Sequence, residues 1–375
     1  MPSRIAVWNR SETIEAVFGN LLVRPKENRN CMLKLKFMSA RNPRLAPLLD
    51  GTVKPKNIEL DIKLSPPGEL FYHNLLHDDF DVSEMSMSEC LIVRERNRPG
   101  KWQWSAVPVF LSKAFLWFNL IVNTGSGIQR GEDFRGKRVA VPDFPMTAAL
   151  WMRLMFKELF GIGTKDVHWY VGRWREKSHG GMVGLDREPP PGISLHWLAE
   201  DQTMDVMLDK GELDAAFGVV PRSGHEPSTF DKVDRYGGTP IEGNPRLRKF
   251  FPDGGRDLVT KYYQKVGVLP SNHTIVVQKR ILDEHPWVAM ELYRTFQRSK
   301  EVAYERAKAT MGTYLLFEAE DYKQQAECFG EDPYPLGIKQ NRKMLEVLFR
   351  GSHEEGLTKS QARIEDVFHE TTLDT

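Results

Sequence analysis

Strand patterns and helix patterns alternate along most of this chain, and that alternation constrains the fold more than any single motif. The segment "IELDIKL" alternates apolar and polar residues from Ile58 to Leu64, which is typical of a half-buried strand. The segment "TMDVMLDKGELDAAFGVV" predicts a helix that ends at Gly211 and is followed by a buried strand. Because strands joined by helices usually pair in parallel, the sequence predicts an α/β protein with parallel sheets.

Other segments extend the alternation in both directions. Strands are predicted in "LKLKFMSA", "DVSEMS", "SAVPVFL", "FNLIVN" and "HWYVG", and helices near Leu45–Leu49, in "GELFYHNLL" and in "HPWVAMELYRTFQRSKEVAYERAKA". The glycine- and proline-rich interval from Gly180 to Gly192 predicts an irregular surface loop. Near the start of the chain, Ile14, Phe18 and Leu22 share a helical face, which predicts an added helix packed on the body.

The length and charge of the chain exclude several classes of protein. At 375 residues it is long enough for two domains. A net charge of +1 offers no large basic field to nucleic acid. No apolar run approaches the roughly 20 residues that span a bilayer. We therefore expect no nucleic-acid partner and no membrane partner.

The cysteines and the first residues bear on the compartment. Cys31, Cys90 and Cys328 are odd in number, far apart and without zinc spacing, so reduced thiols are expected. The first thirty residues lack the continuous apolar core of a signal peptide. A mitochondrial presequence is the weaker alternative, since such sequences avoid acidic residues and this segment contains Glu12 and Glu15. These features predict a cytoplasmic location.

The segment "GEDFRGKRVAVPDFPMTAALWMRL" combines a strand, a tight loop and a helix start. It predicts a strand at Val139–Val141 and a helix that begins at Ala148 with Thr147 as its cap. Free backbone N–H groups at that helix start would face the carboxyl edge of the sheet. Together with the Thr147 hydroxyl they would hold a carboxylate. The alternative is that Thr147 only caps its helix.

Two residues are candidates for proton transfer. His273, in "GVLPSNHTIVV", stands where a loop enters an apolar strand and could donate a proton near neutral pH. The alternative is a loop histidine whose hydrogen bonds are satisfied. Glu84, in "DVSEMSMS", would have a raised pKa and carry a proton if it were buried in a cleft, and would be a simple strand-end acid if exposed.

A metal site is a further alternative. His73 and His77 lie four residues apart on a predicted helix with three aspartates nearby, but no third ligand completes a pattern, and a solvated helix face is favoured. The chain also lacks a G-x-S-x-G elbow, a P-loop, a dinucleotide glycine fingerprint and an H-E-x-x-H motif. Any chemistry must therefore come from residues scattered along the chain.

Several segments together resemble one family. They are "LLDGTVKPKNIEL", "FDVSEMSMSECL", "AVPVF", "DFRGKRVAVPDFPMTAALWMR", "GELDAAF", "LPSNHTIVV", "EHPWVA" and "DPYPLGIKQNRKMLE". They follow one another in the order seen in the 4,5-dihydroxyphthalate decarboxylase family, and the resemblance runs from about Leu33 to the C-terminus. "DFRGKRVAVP" is shared with many solute-binding proteins, whereas "MTAALWMR", "FDVSEMSMS" and "EHPWVA" together are much more specific.

The resemblance implies a fold and a domain organisation. The fold is α/β, two-lobed and of the type II periplasmic-binding-protein kind, with a ligand cleft between the lobes. Residues 1–32 would form an N-terminal extension, residues 33–118 with 265–375 a discontinuous first lobe, and residues 119–264 the second lobe. Ligand contacts from both lobes would imply hinge closure.

The resemblance also implies site residues by position. A decarboxylase of a hydroxylated aromatic acid needs cations or N–H groups to hold the acid, and an acid that protonates the ring carbon as CO₂ leaves. His273 is the expected proton donor, with Glu84 orienting it or acting in its place. Arg153 lies opposite the apolar stripe of its helix, which would turn it towards solvent. The implied substrate-binding residues are Arg44, Ser86, Lys113, Asp143, Thr147 and Arg153.

The chain departs from the family pattern at two places. Where the family usually reads arginine-alanine-phenylalanine-arginine-histidine after "PVF", this chain has Lys113, Leu116 and Trp117 at the three polar positions. Pro43 stands where an aspartate usually precedes the arginine matched by Arg44. If these residues line the cleft, it has lost charge, and we expect a monocarboxylate with an apolar body to be preferred over a dianionic phthalate.

The function that the sequence favours is a carboxy-lyase in aromatic compound metabolism. It would act, without a cofactor, on a hydroxylated aromatic or related unsaturated carboxylic acid. The alternative from another class is a non-catalytic binding protein for a small organic anion. A metal-assisted lyase that uses His73 and His77 is a third hypothesis. The expected partner is a small aromatic carboxylate, and a homo-oligomer is left open.

Overall fold

The structure is a computed structural model that describes residues 32–96, 100–219 and 230–375. The helix predicted at Ile14–Leu22 and the thiol of Cys31 lie outside the described residues. The strands are β1 (Leu33–Ser39), β2 (Ile58–Leu64), β3 (Val82–Ser86), β4 (Trp104–Val107), β5 (Leu120–Asn123), β6 (Arg138–Val141), β7 (His168–Val171), β8 (Ser194–Trp197), β9 (Ala215–Phe217), β10 (Leu247–Lys249) and β11 (His273–Gln278).

Helices connect most of these strands. The α-helices are α1 (Ala46–Leu49), α2 (Pro67–His77), α3 (Met87–Glu95), α4 (Thr147–Phe160), α5 (His179–Met182), α6 (Met204–Asp209), α7 (Arg256–Val266), α8 (Lys279–Glu284), α9 (Trp287–Ala309), α10 (Glu318–Phe329), α11 (Arg342–Glu354) and α12 (Ile364–Val367). Short 3₁₀ turns lie between them, among them Pro43–Leu45 before α1 and Leu116–Asn119 before β5. None of the helices in the described ranges is long and apolar enough to cross a membrane.

The strands form two sheets, and each sheet with its helices makes one lobe. The first sheet has the order β2-β1-β3-β11-β4, and the second has the order β10-β5-β9-β6-β7-β8. In the first, β11 runs antiparallel to both of its neighbours, and in the second β5 does. The prediction of parallel sheets is therefore corrected: each sheet is mixed.

The two antiparallel strands share a place in the chain. Strand β5 is the first that the chain forms after leaving the first sheet, and β11 is the first after it leaves the second sheet. Each lobe thus repeats one plan, in which a strand arriving from the other lobe is inserted between strands of the local sheet. This topology confirms the predicted two-lobed α/β fold of the periplasmic-binding-protein kind. The exact domain bounds remain a prediction.

The hydrophobic pattern of individual strands explains their position. Along β2, residues from Ile58 onward alternate between a more buried and an exposed environment, as the period of two predicted. Strand β5 is buried at every position because it lies inside the second sheet. The strand predicted in "SAVPVFL" ends at Val107, before Pro108, because proline lacks the N–H that a ladder requires.

Helix α4 is the most deeply enclosed helix near the lobe junction. Every residue from Thr147 to Phe156 is buried, so its apolar content is not confined to one stripe. It ends at Phe160 and is capped by Gly161, whose φ of +64° is the left-handed conformation that closes many helices. Because the first turn of α4 is buried, the Thr147 hydroxyl and the N–H groups of that turn lie in the interior.

Candidate active site

A hydrogen-bonded pair, Glu84 and His273, lies where the two parts of the first lobe meet. Strand β11 pairs with β3 so that His273 is opposite Ser86 and Ile275 is opposite Glu84. Glu84 and His273 are therefore diagonal neighbours on one face of the sheet. Their side chains join through Nδ1 and Oε1 at 2.7 Å. The structure thus brings together the two residues predicted for proton transfer.

Glu84 is buried and held as an anion. Its Oε2 accepts hydrogen bonds from the Ser39 hydroxyl and the Ala40 N–H, each at 2.8 Å. Burial alone would raise the pKa of this carboxyl, but the hydrogen bond and charge of His273 and the two donors outweigh it, so the pKa lies below its usual value. The prediction of a raised Glu84 pKa is therefore wrong, and Glu84 is an anion that orients His273.

The orientation of His273 leaves one ring nitrogen available. An ionised carboxylate only accepts, so Nδ1 of His273 donates to Glu84. Nε2 has no partner among the described residues, and the side chain keeps 12% of its exposure. The ring packs edge-on against Phe71, with centroids 4.7 Å apart. This is the arrangement of an imidazole that can hold and deliver a proton at Nε2.

Ser86 and Thr147 join the two lobes next to this pair. Their hydroxyls lie 2.9 Å apart, and Thr147 Oγ1 also accepts from the Ser88 N–H at 3.0 Å. Ser86 itself caps α3 by accepting from the Glu89 N–H. The N-terminal ends of α3 and α4, one from each lobe, therefore meet at this contact and bring their partial positive charge with them.

The helix start at Thr147 differs from the prediction. Helix α4 begins at Thr147 rather than at Ala148, its N-cap is Met146, and no side chain caps it. The Thr147 hydroxyl instead satisfies an N–H of α3 in the other lobe. Thr147 is thus a junction residue.

Oγ of Ser88 and Oδ1 of Asn272 are among the buried polar atoms near this junction that have no partner within the described residues. Asn272 lies beside His273 in the chain, and its carbonyl accepts from the Met87 N–H at the start of α3. A hydroxyl donor and an amide acceptor are what a hydroxylated acid requires. Neither residue was predicted for the site, although both stand next to predicted ones.

Arg44 lies on the Glu84 side of the first lobe. Its guanidinium stacks over Tyr334 at 4.1 Å and donates to the Leu111 carbonyl. Burial lowers its pKa, and the charges of nearby acidic groups, Glu84 among them, oppose that shift. Arg44 is therefore close enough to Glu84 for the carboxylate charge to affect the pKa of its guanidinium. Its role as a substrate ligand stays a prediction.

The backbone of Lys113 contacts the segment that precedes His273, whereas its side chain extends towards Asn341. It forms an isolated antiparallel bridge with Ser271. Its Nζ donates to Asn341 Oδ1 at 2.6 Å, and the residue is 5% exposed. Burial lowers the pKa of this ammonium to about 7. The side chain belongs to a cavity formed by the C-terminal part of the first lobe.

Asp143 is occupied by the protein itself. Its two oxygens accept from the Ser178 hydroxyl and from the N–H groups of His179 and Gly180, at 2.6 to 3.1 Å, and Arg173 lies at 3.4 Å. These donors use both oxygens, so the predicted contact with substrate is corrected. Asp143 positions the start of α5, where His179 lies.

Arg153 is a core residue, so the expectation that it faces solvent is corrected. It is buried and bonded to Glu355 at 2.9 Å and to the Phe144 carbonyl at 3.0 Å. Its Nη2 has no partner among the described residues, and its contact with substrate stays a prediction. The guanidinium also stacks on the Phe144 ring at 4.0 Å. Its long side chain explains how an arginine on a helix can reach a distant carboxylate inside the core.

A second histidine–carboxylate pair was not predicted. His179 binds Glu89 through Nδ1 at 2.8 Å and the Gly68 carbonyl through Nε2 at 2.9 Å. His179 is the first residue of α5, which extends into the interval from Gly180 that was predicted to be irregular, and Glu89 lies on α3 of the other lobe. No local pattern indicates this pair, because its members are 90 residues apart.

The residues of the metal hypothesis are engaged otherwise. His73 binds Asp79 at 2.8 Å and stacks on Phe230, while the His77 ring lies 4.6 Å from that of His73. Burial lowers the pKa of His73 although Asp79 opposes the shift. Within the described ranges no group of three or more histidine, cysteine or acidic residues could hold a metal ion.

The apolar departure at Trp117 lies in the core. Its indole packs against Phe115 and Tyr262, with centroids 4.9 Å away in each case, and the residue is 1% exposed. Trp117 therefore fills the interior of the first lobe and lends no support to the expected preference for an apolar substrate. The expectation of a monocarboxylate stays a prediction.

The comparisons with known proteins agree with the resemblance. No family model matches the chain. The chain is 28% identical to the 4,5-dihydroxyphthalate decarboxylase of Comamonas testosteroni over 344 residues, which cover 91% of this chain and 98% of the relative. It is 30% identical to the 4,5-dihydroxyphthalate decarboxylase of Pseudomonas putida over 221 residues, or 59% of this chain and 78% of the relative.

Solved structures resemble the chain more distantly. The aliphatic sulphonate binding protein SsuA of Escherichia coli gives a TM-score of 0.49 at 12% identity, over 92% of this chain and 99% of that chain. The desulfurization enzyme DSZB gives a TM-score of 0.46 at 12% identity, over 91% and 98% of the two chains. The sequence identity, its coverage and the ordered motifs together show that this chain belongs to the 4,5-dihydroxyphthalate decarboxylase family.

Proposed function

We propose that this protein is a decarboxylase of a hydroxylated aromatic carboxylic acid and that His273 supplies the proton. The observation that carries the proposal is the Glu84–His273 pair, which lies beside the junction of the two lobes and leaves Nε2 of His273 without a partner among the residues that the structure describes. The family membership of the chain supports the reaction class.

The proposed reaction exchanges a carboxylate for a proton on the aromatic ring. Nε2 of His273 donates its proton to the ring carbon that bears the carboxylate, which forms a C–H bond at that carbon. The bond between the ring carbon and the carboxylate then breaks and CO₂ leaves. The electron pair of that bond restores the aromaticity of the ring. A ring hydroxyl donates electron density to the protonated ring. The proton lost by His273 is replaced from water.

Each residue around His273 contributes to this step in a defined way. The Glu84 anion stabilises the protonated imidazole before transfer and keeps the ring fixed by its Nδ1 hydrogen bond. The hydroxyls of Ser86 and Thr147, together with the N-terminal ends of α3 and α4, favour a carboxylate at the junction. Because these groups come from both lobes, substrate binding would favour closure of the lobes.

The test is a substrate panel with a matched variant. Purified protein is incubated with mono- and dihydroxybenzoates and with 4,5-dihydroxyphthalate, and CO₂ release and the aromatic product are measured. In deuterated water, the product should carry deuterium at the carbon that lost the carboxylate. His273→Ala should lose CO₂ release while still binding the acid in calorimetry.

Two outcomes would contradict the proposal. Binding of an acid without CO₂ release across the panel would identify a binding protein for small organic anions. A fully active His273→Ala variant would refute the assigned proton donor while leaving the reaction class intact. His285→Ala is a suitable control, because His285 is a partly exposed histidine outside the site.

A further inference from the structure

A second cavity lies in the first lobe, behind the strand that carries His273. It has a volume of about 100 Å³ and lies between the α7–β11 connection, the turn after α10 and the start of α11. Lys113, Asn341, Lys343 and Asp332 contribute polar groups to its wall. Since one water needs only about 10–15 Å³ of such volume, the cavity has room for a small polyatomic ion.

Lys113 is incompletely paired in this cavity. Its ammonium has three donors, and Asn341 Oδ1 is the one acceptor that the described residues offer it. The amide of Asn341 cannot be reversed, because its Nδ2 donates to the carbonyls of Pro335 and Gly337 at 3.0 and 2.7 Å. Within the described ranges no carboxylate lies within ion-pair distance of Lys113.

The acidic residue on the wall is already used. Asp332 forms an ion pair with Lys300, accepts from the Tyr304 hydroxyl at 3.2 Å and accepts from the Tyr334 N–H at 3.0 Å. It lies close enough to influence Lys113 but contributes no direct hydrogen bond to it. The buried Lys113 ammonium therefore faces a cavity in which Asp332, the carboxylate that lines it within the described residues, is neutralised by Lys300.

Other positive groups surround the same space. Lys343 lines the cavity, and its Nζ lies so close to the Gly267 backbone that a side-chain carbon there would be 2.8 Å away. Lys300 and Arg44 add positive charge near Lys113. Tyr263 is a further titratable residue on the cavity wall, and Tyr304 and Tyr334 lie beside Asp332 and Arg44.

We propose that this cavity is a binding site for a small planar oxyanion of the carboxylate type, held by Lys113 and Lys343. Such an ion supplies the acceptors that Lys113 lacks and offsets the surplus positive charge. A planar ion with several oxygens can accept from both ammonium groups at once. Free bicarbonate or acetate and the carboxylate of an aromatic acid share this chemistry.

The site is coupled by the backbone to the catalytic strand. Lys113 bridges Ser271, and the Asn272 N–H donates to the Ser112 carbonyl at 2.8 Å. Asn272 directly precedes His273. Anion binding on Lys113 therefore stabilises the segment that enters β11, whether or not the chain is a decarboxylase.

Calorimetry and thermal unfolding of the full chain test the site. Acetate and formate are titrated at pH 6 and pH 8.5 and bicarbonate at pH 8.5, all against chloride at equal ionic strength. We expect binding and a raised unfolding midpoint with the oxyanions, with affinity at least tenfold higher at pH 6 because the protonated lysine is the binding form. Lys113→Met should abolish both effects, and Lys343→Met should weaken them.

Lys157→Met removes an exposed lysine paired with Glu354 and should leave anion binding unchanged. Equal effects of chloride and of the oxyanions, or unchanged anion binding in Lys113→Met, would overturn the proposal. If the site receives the carboxylate of an aromatic acid instead of a free ion, benzoate and phthalate will bind in a Lys113-dependent manner and acetate will not. Both measurements read binding rather than CO₂ release, so their failure is distinct from failure of the proposed activity.

Discussion

Replacement of Lys113 by methionine tests the electrostatics of the first lobe most directly. In the folded protein, burial lowers the pKa of Lys113 from 10.5 to about 7. The unfolded chain therefore binds a proton at this residue up to about pH 10.5, whereas the folded chain binds it only up to about pH 7. In that window the unfolded state holds more protons, so the free energy of unfolding rises with pH.

The size of the effect follows from the shift. A shift of roughly 3.5 units corresponds to about 5 kcal/mol, at about 1.4 kcal/mol per unit, between full protonation and full deprotonation. Between pH 7 and pH 9, wild-type protein should gain about 2 kcal/mol from this residue. Lys113→Met lacks that gain, because methionine does not titrate and fills a similar volume.

The assay is urea unfolding followed by tryptophan fluorescence, in buffers free of carboxylates and bicarbonate. The difference in free energy of unfolding between wild type and Lys113→Met is measured at pH 7, 8 and 9, which cancels the contributions of all other titrating groups. Lys157→Met, which removes an exposed lysine, should show the wild-type slope. A pH-independent difference between wild type and Lys113→Met would refute the reasoning, because it would mean that Lys113 keeps an ordinary pKa.

The remaining predictions concern the site and the lobe junction. Glu84→Gln keeps the shape but removes the anion that supports the protonated His273, so kcat should fall by roughly 10²–10⁴-fold with little change in KM; an unchanged kcat would remove Glu84 from the mechanism. Thr147→Val leaves the buried Ser88 N–H unpaired and should cost about 1–3 kcal/mol in urea unfolding and raise KM. Thr147→Ser should restore both the stability and the KM. Wild-type stability and KM in the valine variant would contradict the assigned role of Thr147 at the lobe junction. Arg153→Met leaves Glu355 buried without its partner and should cost about 3–5 kcal/mol, most of which the double variant with Glu355→Leu recovers. A KM that stays high in the double variant would instead favour a substrate contact of Arg153.

The sequence determined those features that depend on local pattern. The period of two along β2 and the strand that enters the interior at β3 follow from which residues can share a half-buried or buried sheet. The ordered motifs identified the family and drew attention to Glu84 and His273. These predictions succeed because strand periodicity, turn residues and family motifs are properties of short segments. Each can be recognised without knowing which residues contact the segment in the folded protein.

The tertiary structure decided what each candidate side chain does. Glu84 and His273 are 189 residues apart, and only the return of β11 beside β3 turns two isolated candidates into a hydrogen-bonded pair. The pKa of Glu84 moved down rather than up, because donors from β1 and β11 surround it. Burial by itself would have raised that pKa.

The same reason explains the roles that were predicted wrongly. Asp143 matches the motif of a ligand site, yet both of its oxygens accept from Ser178 and the start of α5. Arg153 was expected to face solvent, yet it is buried and bonded to Glu355. Thr147 resembles a helix cap but satisfies a helix of the other lobe. The residues that neutralise a buried charge or fill a hydrogen bond come from distant segments. Local spacing specifies the side chain, whereas only the packed fold specifies its partner.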